Sequence, residues 1–270
     1  MKKFNLMAAA VVVAGLVVCQ ASGQTVFSED FEGLNAGGLD GQNGWSADSN
    51  VLVDAGGAFS SNFGAKNVDG TAGNFSASQS LSGTISSGVI TATALVNPSC
   101  GSCERGGSIF LSDGGSNVLE VQVLGGQNHP AGANSKINLI GPAGTQTVEQ
   151  PYIGLVRGDN GDPTPSFNDA LFVQVELIYD INSGMATGTV RDVLDFNGRP
   201  TTFGPDVFTD TFDAFTAFGV NTVGFRVATP TNATSFGGNV DDVSFIIPEP
   251  ATGVLLGLVA VAALRRRRQA

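Results

Sequence analysis

Residues 171–193, LFVQVELIYDINSGMATGTVRDV, decide the fold of this chain. Up to position 179 every second residue is apolar, and this face consists of Leu171, Val173, Val175, Leu177 and Tyr179. Successive side chains of a strand point to opposite faces, so Gln174 and Glu176 belong to the other face. A turn sequence, DINSG at 180–184, is followed by a second β-rich run at 185–193. The stretch predicts a β-hairpin with one buried face.

Further strands are predicted where β-branched or alternating apolar runs lie between clusters of Gly, Asn, Pro and Ser. They span residues 89–96, 108–111, 118–124, 136–140, 219–228 and 239–247. In 118–124, Glu120 and Gln122 alternate with apolar residues, which predicts a half-buried strand. The 37 glycines are nearly twice the average share and disfavour long helices. The sequence therefore predicts an all-β protein.

One short helix is predicted, at residues 209–218. Four phenylalanines, Phe208, Phe212, Phe215 and Phe218, recur there at spacings of four, three and three. This spacing would place the four rings on one side of a helix. We expect that side to cover an open end of the sheets.

The chain begins with the features of a cleavable signal peptide, residues 1–23. Lys2 and Lys3 precede an apolar run at 6–18, and Ala21-Ser22-Gly23 provides the small residues that a signal peptidase requires. A lipoprotein signal is the alternative suggested by Cys19, but it requires a small residue where Val18 stands. We expect cleavage after Gly23.

The last 23 residues form a tripartite tail, residues 248–270. Pro248-Glu249-Pro250 stops the preceding strand, because neither proline can donate a backbone hydrogen bond. The apolar run at 251–264 would make about 21 Å of helix, against a hydrocarbon core of about 30 Å. Four arginines follow: Arg265, Arg266, Arg267 and Arg268. Such a cluster stays on the cytoplasmic side, so we expect a short transmembrane helix with the body of the protein outside.

This tail resembles the PEP-CTERM sorting signal of exported bacterial proteins, since its three parts occur in that order. The resemblance implies recognition by a membrane processing enzyme of the exosortase type, which would release or transfer the upstream domain. A permanent tail anchor is the alternative. Either way, the protein is expected at the cell envelope, the cell surface or the extracellular matrix, and in the membrane before processing.

Residues 24–247 are one domain by length, and they are strongly acidic. They contain seven of the 13 Lys and Arg residues and 23 of the 24 Asp and Glu residues, which gives a net charge of about −16. This charge repels phosphate backbones and excludes nucleic acids as partners. It favours solubility outside the cell.

Cys100 and Cys103 form a Cys-x-x-Cys in a predicted turn. In an oxidising compartment this spacing favours a small disulfide that pins the loop. A zinc site would need two further ligands, and a thioredoxin-like role would need a βαβ context that the sequence lacks.

Two segments of the body resemble concanavalin A-like and carbohydrate-binding jelly-roll domains. These are residues 27–45, which contain FSEDFEG and GQNGW, and residues 240–245, VDDVSF. The hairpin also resembles the paired strands of laminin-G-like sandwiches. The resemblance implies a two-sheet antiparallel jelly-roll sandwich over residues 24–247.

The same resemblance implies a structural Ca²⁺ site. In several such domains the first and last strands are adjacent, and their acidic residues bind the ion. The matching residues here are Glu32 with Asp241 or Asp242, and carboxylates are ligands that Ca²⁺ prefers. Adjacent aspartates point to opposite faces, so only one should reach the ion. The alternative role is that of edge charges which discourage aggregation.

No convincing catalytic set is present. Glycoside hydrolases of the laminarinase type carry Glu-x-Asp-x-x-Glu on one strand, but from Glu120 onward Gln122 and Gly125 replace the second and third acids. Glu176 and Asp180 share a face without any other catalytic mark. His129, the only histidine, lies outside any nucleophile-elbow sequence. A divergent glycosidase is the least favoured function.

We therefore expect a non-enzymatic exported protein with a structural or adhesive role, within exopolysaccharide for example. The alternative is a carbohydrate-binding module. Sugar binding uses exposed aromatic rings, and Trp45, Tyr152 and Tyr179 are the only aromatic residues other than Phe. Trp45 and Tyr179 are expected in the core, which leaves Tyr152 as the exposed candidate.

Overall fold

The computed structural model describes residues 24–55, 63–68, 71–98, 106–125, 134–151, 172–193, 203–213, 216–229 and 238–247. These residues belong to one compact unit, Gly23–Pro250. None of the helical structure in these ranges is long and apolar enough to cross a membrane. The predicted signal peptide and the tripartite tail lie outside the described residues.

The described chain is built almost entirely of strands, with one turn of 3₁₀ helix at Gln42–Gly44. The strands are β1 (Gln24–Glu29), β2 (Gly37–Gly38), β3 (Ser46–Ala47), β4 (Val51–Asp54), β5 (Gly64–Asn67), β6 (Gly73–Ile85), β7 (Val89–Asn97), β8 (Gly106–Ser112), β9 (Val118–Leu124), β10 (Asn134–Gly141), β11 (Gly144–Pro151), β12 (Val173–Asp180), β13 (Met185–Val193), β14 (Phe203–Asp213), β15 (Val220–Thr229) and β16 (Asn239–Ile247).

The strands form two antiparallel sheets. The nine-stranded sheet has the order β14-β13-β12-β7-β16-β5-β4-β2, with β1 also paired to β16. The seven-stranded sheet has the order β11-β10-β9-β8-β15-β6-β3. The inner faces of the two sheets share one hydrophobic core. The protein is an all-β, two-sheet antiparallel jelly-roll sandwich, as the sequence predicts.

The hairpin that decides the fold is formed by β12 and β13, in register from Val173 opposite Asp192 to Asp180 opposite Met185. Gly184 adopts a positive φ of 75°, which its lack of a side chain permits, and so allows the turn. The Tyr179 side chain is buried in the core. Its hydroxyl donates to the Phe218 carbonyl and accepts from the Phe218 N–H.

An aromatic cluster fills the core next to the first strand, β1. Trp45 packs edge-on against Phe27 and Phe225, and the Phe31 ring stacks at 6.4 Å from it. The buried carboxylate of Glu29 accepts hydrogen bonds from the Phe31 N–H and from the Trp45 indole N–H. Trp45 is 2% exposed, so its predicted place in the core is confirmed.

The helix predicted at 209–218 is wrong, because residues 203–213 form the edge strand β14. Phe208 and Phe212 are an even number of residues apart, so they also share one face of a strand, and both are buried. They lie opposite Val190 and Ala186 of β13, whereas Thr209 and Thr211 are exposed. β-Branched neighbours and a paired strand outweigh the helical spacing.

The first and last strands are adjacent, and β1 runs along β16 from Gln24 opposite Ile247 to Glu29 opposite Val243. The pairing of β16 with β7 is interrupted between Asp241 and Ser244, where Asp242 has a φ of +45°. This irregularity breaks the simple alternation that the sequence predicts for the two aspartates.

Gly188 of β13 gives a test of the packing between the sheets. A Cβ at this position would lie 2.6 Å from Leu139 Cδ2 and 2.9 Å from Val121 Cγ2, both on the facing sheet. We expect Gly188→Ala to lower the free energy of unfolding by about 1–3 kcal/mol through overpacking, as measured by urea denaturation. Gly83→Ala is the matched control, because nothing lies within 4 Å of its Cβ position. Equal midpoints for the two variants would contradict this close contact.

Candidate binding face

The outer face of the seven-stranded sheet points away from the core and carries a set of polar side chains in register. We call it the polar face; its residues are Ser76, Ser78, Ser108, Phe110, Glu120, Gln122, Asn138, Thr147 and Arg226. One row across the strands runs from Thr147 through Asn138, Gln122 and Ser108 to Arg226 and Ser76. In the next row Glu120 lies opposite Phe110, and Phe110 opposite Gly224.

A buried ion pair lies at the centre of the polar face. The Glu120 side chain is fully buried, and its Oε2 accepts a hydrogen bond from Arg226 Nη1. The Arg226 side chain is 26% exposed, and its guanidinium lies 5.0 Å from the centre of the Phe110 ring. The Phe110 ring packs over Gly224, where a Cβ would lie 2.5 Å from it. The absence of a side chain at Gly224 therefore leaves the space that the Phe110 ring occupies.

Hydrogen bonds connect the polar row towards the sheet edge. The Thr147 hydroxyl donates to Asn138 Oδ1 at 2.8 Å, and Asn138 Nδ2 donates to Gln122 Oε1 at 2.8 Å. These bonds fix the orientation of both amide groups. The row is therefore held in one arrangement by its own hydrogen bonds.

Two acceptor atoms near the ion pair lack partners. Glu120 Oε1 and Ser108 Oγ are buried and make no hydrogen bond. Buried polar atoms without a partner are uncommon and costly, by about 1–3 kcal/mol each. The polar face thus contains two buried oxygen atoms that can accept hydrogen bonds, next to a guanidinium that can donate them.

The sequence predicted the direction of these side chains but not their burial. Glu120 and Gln122 point away from the core as expected, yet they are 0% and 6% exposed, so the strand β9 is not half-buried. Phe110, Ser108 and Arg226 were not recognised as site residues. A single arginine within the apolar run FRVA of β15 was the available signal, because an unpaired charge is rarely placed there.

The other candidate carboxylates lie on the outer face of the nine-stranded sheet. Arg191 bridges Glu176 at 2.9 Å and Asp206 at 2.6 Å, and the hydrogen bond to Glu176 is the main reason that the pKa of Arg191 is raised. Asp180 accepts from Ser183 and Asn182 in the hairpin turn, and the bond from the Ser183 hydroxyl contributes most to lowering its pKa.

Glu120 and Glu176 cannot act as a catalytic pair. They lie on the opposite outer faces of two sheets whose backbones are about 10 Å apart. Paired carboxylates of glycosidases lie about 5–10 Å apart in one groove. These two residues therefore cannot form such a pair with each other.

The predicted calcium ligands, Glu32 with Asp241 or Asp242, are placed in the described part of the chain as follows. Glu32 Oε1 accepts from the Phe63 N–H at 2.8 Å, and Asp241 Oδ1 accepts from the Asp242 N–H at 2.8 Å. Asp241 is fully buried. Within the described ranges, no three Asp, Glu, His or Cys side chains are grouped so that they could hold a metal ion. One carboxylate oxygen of Glu32 and one of Asp241 therefore accept from backbone N–H groups, and the calcium site stays a prediction from the sequence.

Several predicted residues lie outside the described ranges: Cys100, Cys103, His129, Tyr152, Pro248, Glu249, Pro250, Arg265, Arg266, Arg267 and Arg268. The disulfide and the sorting motif accordingly remain predictions from the sequence.

No protein-family model and no curated protein matches the sequence. Solved structures with a similar course of the chain include lectin II from Ulex europaeus, at 13% identity and a TM-score of 0.47, covering 83% of this chain and 99% of the lectin. The CBM2 module of Lactobacillus casei BL23 phage J-1 evolved Dit has 12% identity and a TM-score of 0.48, with coverages of 84% and 97%. A carbohydrate esterase, vb_24B_21 from the Shiga toxin-encoding bacteriophage phi24B, has 14% identity and a TM-score of 0.42, with coverages of 84% and 100%. None of these similarities identifies a function for this chain.

The buried ion pair can be tested by a double-mutant cycle. Arg226→Met leaves the Glu120 carboxylate buried without a cation, and we expect it to lower the free energy of unfolding by about 3 kcal/mol. Glu120→Gln in the same chain should restore about 2 kcal/mol, because no buried charge then remains. Urea denaturation measures both.

The Arg191 and Glu176 pair on the other outer face is the matched control, since both side chains there are partly exposed. The same cycle with Arg191→Met and Glu176→Gln should show a coupling of no more than about 1 kcal/mol. Equal coupling energies for the two pairs would contradict the burial of Glu120.

Proposed function

We propose that this protein is a carbohydrate-binding module that takes neutral glycans on its polar face. The observation that carries the proposal is the pair of buried acceptors without partners, Glu120 Oε1 and Ser108 Oγ, beside Arg226. Sugar hydroxyl groups donate and accept hydrogen bonds at once. A glycan on this face can accept from the partly exposed Arg226 guanidinium, and a local opening of the packing around Glu120 and Ser108 would let it donate to both buried acceptors.

Charge favours a neutral ligand over an acidic one. The whole chain carries a net charge of −11, and Glu120 already neutralises the Arg226 side chain in its ion pair. An acidic polysaccharide would be repelled by the overall field of the protein. A neutral glycan has no such penalty.

The accessible part of the polar face suits an extended chain. Ser76 and Ser78 on β6 are partly exposed and have short side chains, and Arg226 lies on the neighbouring strand β15. This gives a shallow polar surface on which a sugar can lie beside the partly exposed Arg226 guanidinium. These features support glycan binding over a purely structural or adhesive role.

The proposal is tested by comparing the same bulky substitution on the two outer faces. Ser78→Phe would block the polar face, whereas Ser244→Phe places the same ring on the outer face of β16 in the other sheet. We expect Ser78→Phe to reduce binding to neutral glycans on an array at least tenfold and Ser244→Phe to leave it unchanged.

A second variant tests the acceptors themselves. Ser108→Ala removes one unpartnered hydroxyl, and we expect about a fivefold loss of glycan affinity in calorimetry, equivalent to about 1 kcal/mol for one hydrogen bond. The polar face would be rejected as the binding site if no neutral glycan bound the parent protein, or if Ser78→Phe and Ser244→Phe had equal effects.

We also propose that the protein is exported and processed at both ends, with an exosortase-type enzyme acting on the tail. Supporting this, the strands of the two sheets begin at Gln24 and end at Ile247, next to the two predicted processing segments. Removal of both segments would leave the two sheets intact. The localisation would then be the cell surface or the extracellular matrix.

Processing of the tail is tested with residues 248–270 fused to a secreted reporter in a host that has an exosortase. Changing Pro248 and Pro250 to Ala should block removal of the tail, so that the reporter stays in the membrane fraction. The control changes Thr252 and Gly253 to Ala, which leaves all three parts of the tail in place. Release of both reporters to the same extent would contradict recognition of the proline motif.

A further inference from the structure

The strands that terminate the two sheets differ in how well they are protected against pairing with another strand. Natural proteins shield sheet edges with very short strands, prolines, charges or bulges. β2 and β3 end their sheets with two residues each, and β1, which among the described strands pairs only with β16, has a register shift between Thr25 and Phe27. β14 carries Pro205 and three aspartates, and its register shifts twice against β13.

Among the described edge strands, β11 is the least protected in these respects. It contains eight residues, GTQTVEQP, with one charge and with proline only at its last position. Its pairing with β10 is continuous from Asn134 opposite Pro151 to Gly141 opposite Gly144. Thr145, Gln146, Thr147 and Glu149 are exposed. A long, regular edge strand of this kind is a template for a further strand.

The geometry of the hairpin shows which backbone groups face this edge. Gly141 and Gly144 flank a two-residue turn and form a hydrogen-bonded pair. Hydrogen-bonded and non-hydrogen-bonded pairs then alternate along the strand, so the N–H and C=O groups of Thr145 and Thr147 point away from β10.

We propose that β11 pairs antiparallel with β11 of a second copy of this chain, with Thr147 opposite Thr147 of that copy. This register makes Thr147 a hydrogen-bonded pair with its equivalent and overlaps residues 144–150 of both strands. It also places Thr145 opposite Glu149 of the second copy. The two seven-stranded sheets become one continuous 14-stranded sheet.

Other registers of the same strand pairing form fewer hydrogen bonds or bring like charges together. A pairing centred on Glu149 sets two carboxylates directly opposite each other and brings in Pro151, which has no N–H. A pairing centred on Gln146 or Val148 meets backbone groups that already bond to β10. A pairing centred on Thr145 runs past the hairpin turn after two residues. Only the register on Thr147 pairs residues 144–150 of both strands without one of these conflicts.

The test places one lysine at two positions on the same face of β11. Thr145→Lys sets Lys opposite Glu149 of the second copy, twice per dimer, and should tighten the dimer about fivefold. Thr147→Lys sets Lys opposite Lys at the symmetry axis and should weaken the dimer by a similar factor. Each substitution adds one positive charge to an exposed site, so each controls for the other.

Sedimentation equilibrium of the compact unit, Gly23–Pro250, measures the dissociation constants without glycan, because that unit contains the hydrophobic core of the described residues. Opposite shifts for the two variants would establish the register. Shifts of the same sign, or a parent protein that stays monomeric up to about 1 mM, would overturn the proposal. Because no glycan is present, this outcome is independent of the polar face.

Discussion

The contact between the inner faces of the two sheets holds this molecule together, and each strand can give it only every second side chain. The core is closely fitted as a result. Gly188 leaves room for Leu139 and Val121 of the facing sheet, and Tyr179 reaches across to fix the backbone of Phe218 through two hydrogen bonds. Because this contact uses one face of each sheet, the two outer faces are free to differ in their chemistry, and they do.

How much of the fold could be predicted depended on whether the information was local. Met185–Val193 and Asn239–Ile247 have the predicted bounds, because a period of two and nearby turn residues suffice to locate such strands. β14 was predicted as a helix because a spacing of four, as between Phe208 and Phe212, fits one face of a helix as well as one face of a strand. Only the pairing with the neighbouring strand β13 shows which of the two forms. Contacts between residues that are distant in the sequence could not be predicted for the same reason.

The candidate site shows that limit most clearly. The sequence places Glu120 on the face opposite the core, but burial depends on what packs against that face, and its partner Arg226 is 106 residues away. The comparison with Arg191 is instructive, because that guanidinium bridges Glu176 and Asp206 while both remain in contact with water. A buried pair recovers less free energy than well-packed apolar residues would. The proposal of glycan binding therefore depends on a costly pair that leaves one carboxylate oxygen without a hydrogen-bond partner.

The proposed strand pairing and the proposed binding face support each other geometrically. A two-fold axis perpendicular to the sheet keeps the outer faces of both copies on the same side, so two polar faces would lie next to each other on one continuous surface. The hydrogen-bonded row from Gln122 through Asn138 already reaches Thr147 at the edge where the copies meet. A face with few aromatic rings binds each sugar weakly, but two such faces that engage one polymer gain by effective concentration. Pairing through β11 would thus raise the affinity for a long glycan without any further contact to an individual sugar.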